Sequence, residues 1–356
     1  MKRIVTTMLC GFYLSCAVAQ HVSGQYITDG HWDLKKNVNW VNLLRLNLSI
    51  TLGKGSVEAA TIHVAQTDHS VIGDWQGFCN IDAENTLAAI AVLGYMHQWN
   101  NAHLFAGVRN VNEDFFTSDV TALFINSSCG IFPTIAASYP IANYPLSGLT
   151  LYFDVTKGEW TFRNSLYNGV GYKGWKRHDN PFLVRPKRDG IFNISQLEYA
   201  HRGARYFAGV AIHSRQFPVD SDSENNSPDA SCDVSKNHDD DAPARHTSCA
   251  WWLYGEQPLW TTDGKAVLGM VQYSENTNRN SICYRYAEVG CAYRDDRNEC
   301  GLSGQYARYY NGTEYSAEVT WKYKLTESIA LQPSFQYISN SDGNYTVASL
   351  RLYCDF

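Results

Sequence analysis

The chain closes on Thr346-Val-Ala-Ser-Leu-Arg-Leu-Tyr-Cys-Asp-Phe356, a stretch that alternates to its last residue. Ala348, Leu350, Leu352, Cys354 and Phe356 share one face, and Ser349, Arg351, Tyr353 and Asp355 the other. A β-strand sends successive side chains to opposite sides, so the stretch is a strand with one apolar and one polar face. A last strand that ends on an aromatic, with no tail, suits a barrel whose final strand must close the ring. The terminal strand of a soluble sandwich alternates in the same way, so the remaining sequence has to separate the two.

The same period recurs throughout. Leu44, Leu46, Leu48, Ile50 and Leu52 alternate with Arg45, Asn47, Ser49 and Thr51, and Leu149, Leu151, Phe153 and Val155 with Thr150, Tyr152, Asp154 and Thr156. Val319, Trp321, Tyr323 and Leu325 oppose Glu318, Thr320, Lys322 and Lys324. In a soluble sandwich the apolar face is the core; in a membrane barrel it meets lipid and the polar face lines the lumen. Aromatics make up 13% of the chain, with 10 Trp, 23 Tyr and 15 Phe. Aromatic belts at the two membrane interfaces use such residues, as do carbohydrate-binding surfaces. At roughly 20 residues per strand and connection, the chain predicts about 16 antiparallel strands, an even number as a single-chain barrel requires. Pro333 falls inside one alternating run, which predicts a strand end or a bulge there.

At the other end Lys2 and Arg3 precede an apolar run, followed by Ala17-Val18-Ala19. This reads as a secretory signal peptide over residues 1–19, with the barrel formed by residues 20–356. No later apolar stretch is long enough for a spanning helix; the longest, residues 87–96, reaches half of the roughly 20 residues needed. Mean hydropathy of −0.33 does not argue against a barrel, because only alternate residues meet lipid. A net charge of −6 argues against a nucleic-acid partner, which calls for a basic stripe. Two of the ten cysteines lie in the leader, and none of the rest forms C-x-x-C. Cys232 and Cys249, which flank a polar loop, are the preferred disulfide pair in an exported chain. That loop, residues 218–249, carries eight acidic residues by Asp241 against the single Lys236 and reads as a solvated external loop. Its spacing matches no EF-hand.

Motifs of catalysis fail one by one. Gly169-Val-Gly171-Tyr-Lys-Gly174 satisfies G-x-G-x-x-G, but Trp-Lys-Arg-His-Asp-Asn-Pro181 follows in place of a helix, so the glycines mark a bend. No G-x-S-x-G, H-E-x-x-H or phosphate-loop pattern is present, and the histidines do not recur at metal-ligand spacings. The expectation is therefore no enzyme, no cofactor and no metal site. A carboxylate pair for glycoside hydrolysis has no marker in the sequence.

A specific likeness starts at Val108-Arg-Asn-Val-Asn-Glu-Asp-Phe-Phe-Thr-Ser-Asp119, followed by Leu123-Phe-Ile-Asn-Ser-Ser-Cys-Gly130 and Tyr144-Pro145. With Asn80-Ile81 upstream, and Gly190-Ile-Phe-Asn-Ile-Ser-Gln-Leu-Glu198, Ala208-Gly209, Glu256-Gln-Pro-Leu-Trp260 and Leu331-Gln-Pro-Ser-Phe335 downstream, the chain resembles the OprB-type carbohydrate-selective porins over most of residues 70–356. It departs from that pattern in its shorter length, its cysteine content and the acidic 218–249 loop. The resemblance implies an outer-membrane barrel for passive diffusion of small sugars, narrowed by an inward-folded segment. It also implies contact with outer-membrane lipid and lipopolysaccharide, use of the barrel-assembly machinery, and compatibility with a homo-oligomer.

The residues give that implication a form. Leu104, Ala106 and Val108 share an apolar face, which turns Phe105, Gly107 and Arg109 to the lumen; Trp160 and Phe162 likewise leave Thr161 and Arg163 inside. Residues 110–145 then lose the alternation and are expected to fold into the channel. Sugar hydroxyls both donate and accept hydrogen bonds, so a selective constriction should present fixed donors and acceptors together. Arg109, Asn112, Glu113, Asp114, Asp119, Arg163 and Glu198 supply both kinds and are the candidate constriction residues; salt bridges that only anchor the segment are the alternative role. A secreted glycan-binding β-sandwich and, further off, an outer-membrane barrel hydrolase are the competing functions.

Overall fold

The computed structural model describes residues 20–67, 71–215 and 247–356. Sixteen antiparallel strands close into one barrel. In chain order they are β1 (Gln20–Trp32), β2 (Val38–Leu52), β3 (Gly55–Gln66), β4 (Thr86–Gln98), β5 (Ala102–Arg109), β6 (Gly148–Lys157), β7 (Trp160–Asn168) and β8 (Ile191–His201). β9 (Ala204–His213), β10 (Ser248–Thr262), β11 (Lys265–Asn276), β12 (Cys283–Arg294), β13 (Asn298–Tyr309), β14 (Gly312–Lys324), β15 (Ile329–Asn340) and β16 (Gly343–Asp355) complete the ring. Each strand pairs with its sequence neighbours, and β16 returns to β1 with Arg351 opposite Asp29 and Ser349 opposite His31. The C-terminal Phe356 takes part in this closure. Its backbone exchanges two hydrogen bonds with Gly24, at 2.7 and 2.9 Å. A Cβ on Gly24 would sit 2.4 Å from the Phe356 ring, so only glycine admits the aromatic there.

The alternation resolves the choice between sandwich and membrane barrel. Along β14, Glu314, Ser316, Glu318 and Thr320 are buried while Tyr315, Val319 and Trp321 are exposed. The polar face points inward and the apolar face outward, the reverse of a soluble sandwich and the arrangement expected against lipid. The outer face carries Leu46, Leu151, Leu253, Leu302 and Leu350 at mid-height. Trp32, Trp40 and Tyr337 lie toward one rim, and Trp160, Trp260 and Trp321 toward the other. Every connection at one end is short, such as 53–54, 158–159 and 202–203, whereas 110–147 and 169–190 leave the other end. Short periplasmic turns and long external loops orient the barrel accordingly.

Pro333 neither ends nor bulges a strand. β15 runs through it, pairing Pro333 with Leu350 of β16. On the β14 side the ladder skips, with Ser334 opposite Thr320 and Leu331 opposite Tyr323 in unchanged register. Proline has no N–H to give at that gap. The Gln332 side chain donates to the Thr320 hydroxyl instead, at 2.7 Å. Residues 1–19, 68–70 and 216–246, which include the expected leader and Cys232, lie outside the described residues. Ser248 and Cys249 already belong to β10.

Two segments fold inward from the long-loop end, residues 71–85 and 110–147. The second holds two 3-10 turns, Val111–Glu113 and Thr121–Leu123, and two single-turn helices, Ser127–Gly130 and Pro133–Ala136. Asn126 caps the first helix by accepting from Ser128 N at 3.0 Å. The segment's apolar side chains, Phe115, Phe116, Phe124, Ile125, Phe132 and Ile135, are almost wholly buried. An apolar core thus lies inside the barrel, made by the insert and the wall it leans on.

Candidate functional site

The insert leans on β10–β16. Inward polar residues of those strands meet its backbone, which has no strand partners of its own and must be satisfied when buried. Glu318 accepts from Ile125 N and Asn126 N at 2.8 and 3.0 Å, and Glu314 accepts from Trp75 N and Gln76 N at 2.7 and 2.9 Å. Gln332 donates to Leu123 O and Gln336 to Phe78 O, both at 2.7 Å. Asn276 donates to Thr134 O at 3.1 Å, and Ser118 pairs with the Tyr254 hydroxyl at 2.6 Å. Between these struts Phe116 packs against Trp252 and Phe132, with ring centroids 5.0 and 5.5 Å apart. Phe116 holds φ of +67°, a conformation costly for a side chain with a Cβ and retained here by the packing around it.

The other side of the insert faces β2–β9, where the wall is charged. Arg45 binds Glu113 through two parallel bonds of 2.7 and 2.9 Å. Arg109 lies 2.8 Å from Asp114 and 3.6 Å from Glu58, with its guanidinium over the Phe105 and Tyr152 rings. Farther round, Glu198 is shared by Arg163 at 2.5 Å and Arg205 at 2.9 Å. Asp154 accepts from the Tyr152 hydroxyl at 2.8 Å and lies 2.8 Å from His103. Arg45, Glu58, Arg163 and Arg205 each keep between 21 and 28% of their side-chain surface open, which distinguishes them from the sealed groups of the opposite wall. Donors and acceptors therefore stand side by side with unused faces toward the lumen. Burial pushes the Asp114 carboxyl up to about 7, beyond what the neighbouring Arg109 holds down.

The seven residues singled out from sequence fall into four places. Arg109, Glu113 and Asp114 meet in one cluster, and Arg163 and Glu198 form a second on β7 and β8. Asn112 accepts from Tyr144 N at 3.1 Å and ties the start of the insert to its return. Asp119 lies apart, largely exposed and 3.5 Å from Arg294 of β12. Sequence reading missed Arg45, Glu58, Arg205 and Asp154. Each occupies a polar-face position of an alternating strand, a signal that marks the lumen face without saying which residues meet the insert. Gly171, from the discarded dinucleotide motif, allows the 169–190 loop to touch the insert. Gly171 N donates to Pro140 O at 2.9 Å, and a Cβ on Gly171 would lie 2.6 Å from Ile141 O.

Comparison with known proteins agrees with this fold. The profile of the carbohydrate-selective porin, OprB family, matches residues 21–355. No curated protein matches in sequence. Among solved structures, the chain is similar to the high-pH structure of Pseudomonas putida OprB, at TM-score 0.76 and 13% identity over 97% of this chain and 96% of that one. It is also similar to OmpT of Vibrio cholerae lacking loop L8, at TM-score 0.60 and 10% identity over 96% and 100%. The anion-selective porin of Comamonas acidovorans gives TM-score 0.59 and 9% identity over 95% and 100%.

Proposed function

The chain belongs to the OprB family of carbohydrate-selective porins of the bacterial outer membrane, and from that premise we propose that sugars pass along the charged β2–β9 wall, past the insert. The supporting observation is the paired set Arg45–Glu113, Glu58–Arg109–Asp114 and Arg163–Glu198–Arg205, in which Arg45, Glu58, Arg163 and Arg205 stay partly open while Arg109, Asp114 and Glu198 are largely buried. A sugar entering this gap leaves water that bonded its hydroxyls. Guanidinium N–H groups donate to the hydroxyl oxygens in water's place, and carboxylate oxygens accept from the hydroxyl O–H groups. Because opposite charges are interleaved, the wall offers no strong net field to favour one ion sign. Phe105 and Tyr152, buried under Arg109, hold its guanidinium in place.

In this reading the chain carries out no reaction, and the carboxylates bind and orient only. Of the seven sequence candidates, Arg109, Glu113, Asp114, Arg163 and Glu198 line the path. Asn112 shapes the insert, and Asp119 with Arg294 guards the short-turn end. Residues 1–19 direct export, and the acidic stretch that starts at residue 218 joins β9 to β10. Outer-membrane lipid, lipopolysaccharide and the assembly machinery are the remaining partners, with self-association open to a native sizing experiment.

Swelling of liposomes in a series of mono-, di- and trisaccharides tests the path. Arg109→Ala combined with Arg163→Ala should admit larger sugars and reduce discrimination among small ones, with heat-modifiable migration unchanged. Unaltered selectivity in that double variant and in Glu113→Ala would move the constriction away from this wall.

A further inference from the structure

At the seam where β16 meets β1, three side chains with no role in the sugar path converge. Asp29 and His31 are alternate inward residues of β1, both essentially fully buried, and Cys79 is brought to them by the inserted segment 71–85. Their candidate ligand atoms all lie within 4.8 Å of one another. His31 Nε2 is 3.8 Å from Asp29 Oδ2, and Cys79 Sγ is 3.4 Å from the same oxygen. His31 Nδ1 lies 2.9 Å from Ser349 Oγ, while its Nε2 has no hydrogen-bond partner. Arg351 donates twice to Asp29 Oδ2, at 2.6 and 2.9 Å, and Asp29 Oδ1 likewise has no partner. A buried polar atom left unpaired is costly, and two of them beside a thiol are an unusual pairing to retain.

We propose that Asp29, His31 and Cys79 bind one divalent transition-metal ion, Zn²⁺ foremost, and clip the inserted segment to the closing seam. One sulfur, one imidazole nitrogen and one carboxylate oxygen suit zinc, whereas calcium and magnesium call for oxygen ligands throughout. The outer shell is already present. Ser349 accepting from Nδ1–H leaves the Nε2 lone pair for the ion, and Arg351 holds in place Asp29 Oδ2, the oxygen that His31 and Cys79 both approach. On binding, the Cys79 thiol loses its proton to solvent and the thiolate and carboxylate together balance the ion's two charges. Arg351, 3.7 Å from Cys79 Sγ, becomes a donor to that thiolate and, as a cation, moderates the affinity. Three protein ligands leave one position for a solvent molecule. No ligand spacing announces this site in the sequence, because its members come from β1 and from a segment about fifty residues later.

The test uses the full-length protein in detergent, stripped with chelator and titrated with Co²⁺. One equivalent should bind with the absorption of a tetrahedral complex and a sulfur-to-cobalt charge-transfer band, and Zn²⁺ should displace it. Cys79→Ser should abolish the sulfur band while heat-modifiable migration persists. Ser349→Ala should keep the band and weaken Co²⁺ binding about 10- to 100-fold, as removal of an outer-shell partner does. Absence of a bound equivalent in the wild-type protein would overturn the proposal. So would a sulfur band that survives Cys79→Ser, since another cysteine would then be the ligand.

Discussion

Two walls of one lumen use polar side chains in opposite ways. Along β10–β16, Glu314, Glu318, Gln332 and Gln336 are buried and hold the backbone of the inserted segments. Along β2–β9, Arg45, Glu58, Arg163 and Arg205 pair with carboxylates or guanidiniums and remain partly open. The first wall is dry and structural; its carboxylates accept from N–H groups that have no other partner. The second is partly open, and it is the wall along which we propose that a solute offering hydroxyls passes. One polar alternation, read along every strand, therefore encodes two physical roles, and the insert decides which strand has which.

Substitutions on the two walls should separate accordingly. Phe132→Ala empties the core between Phe116, Trp252 and Tyr286 and should cost about 3–5 kcal/mol, seen as an earlier loss of the folded band on heating in detergent. Glu318→Ala leaves two buried N–H groups unpaired and should cost about 2–5 kcal/mol, with larger and noisier single-channel currents as the insert loosens. Arg45→Ala should change stability by about 1 kcal/mol or less, because its pair with Glu113 is part-solvated, yet it should alter sugar selectivity in liposome swelling. Equal destabilisation by Glu318→Ala and Arg45→Ala would erase the distinction between the walls.

The smallest effect concerns pH. Asp114 is held at about 7 in the folded chain, above an unfolded aspartate, so its contribution to stability is complete below about pH 4 and declines as pH rises toward 7. Above that pH the ionised carboxylate faces Arg109; below it the constriction gains one positive charge. Reversal potentials in a salt gradient should thus shift toward anions between pH 8 and 6, and Asp114→Asn should flatten the shift.

Much of the barrel was legible in sequence because period-2 alternation is a local property. The C-terminal run, the outward leucines and the polar inner face of β14 follow from it directly. Pro333 was misread for the same reason. The local rule forbids it in a ladder, and the structure tolerates it through an in-register gap spanned by Gln332 and Thr320. The site was legible only in part. Arg109, Glu113 and Asp114 are neighbours in sequence and meet in space, but Arg45 and Glu58 reach them from strands far earlier in the chain. Asp119, five residues beyond Asp114, is carried away by the irregular course of the insert to Arg294. No periodicity encodes that path; it is set by which buried backbone groups find Glu318, Gln332 and Asn276.

The route of the solute is tested most directly by sugar-dependent swelling of liposomes carrying the wild-type chain, Arg45→Ala with Glu113→Ala, or Gln305→Ala on the dry wall, where the buried Gln305 of β13 donates to Cys129 Sγ of the insert at 2.8 Å. Passage along the charged wall predicts swelling by all three, with the size cut-off raised only in the Arg45–Glu113 variant. A cut-off moved by Gln305→Ala and left in place by the Arg45–Glu113 pair would contradict it.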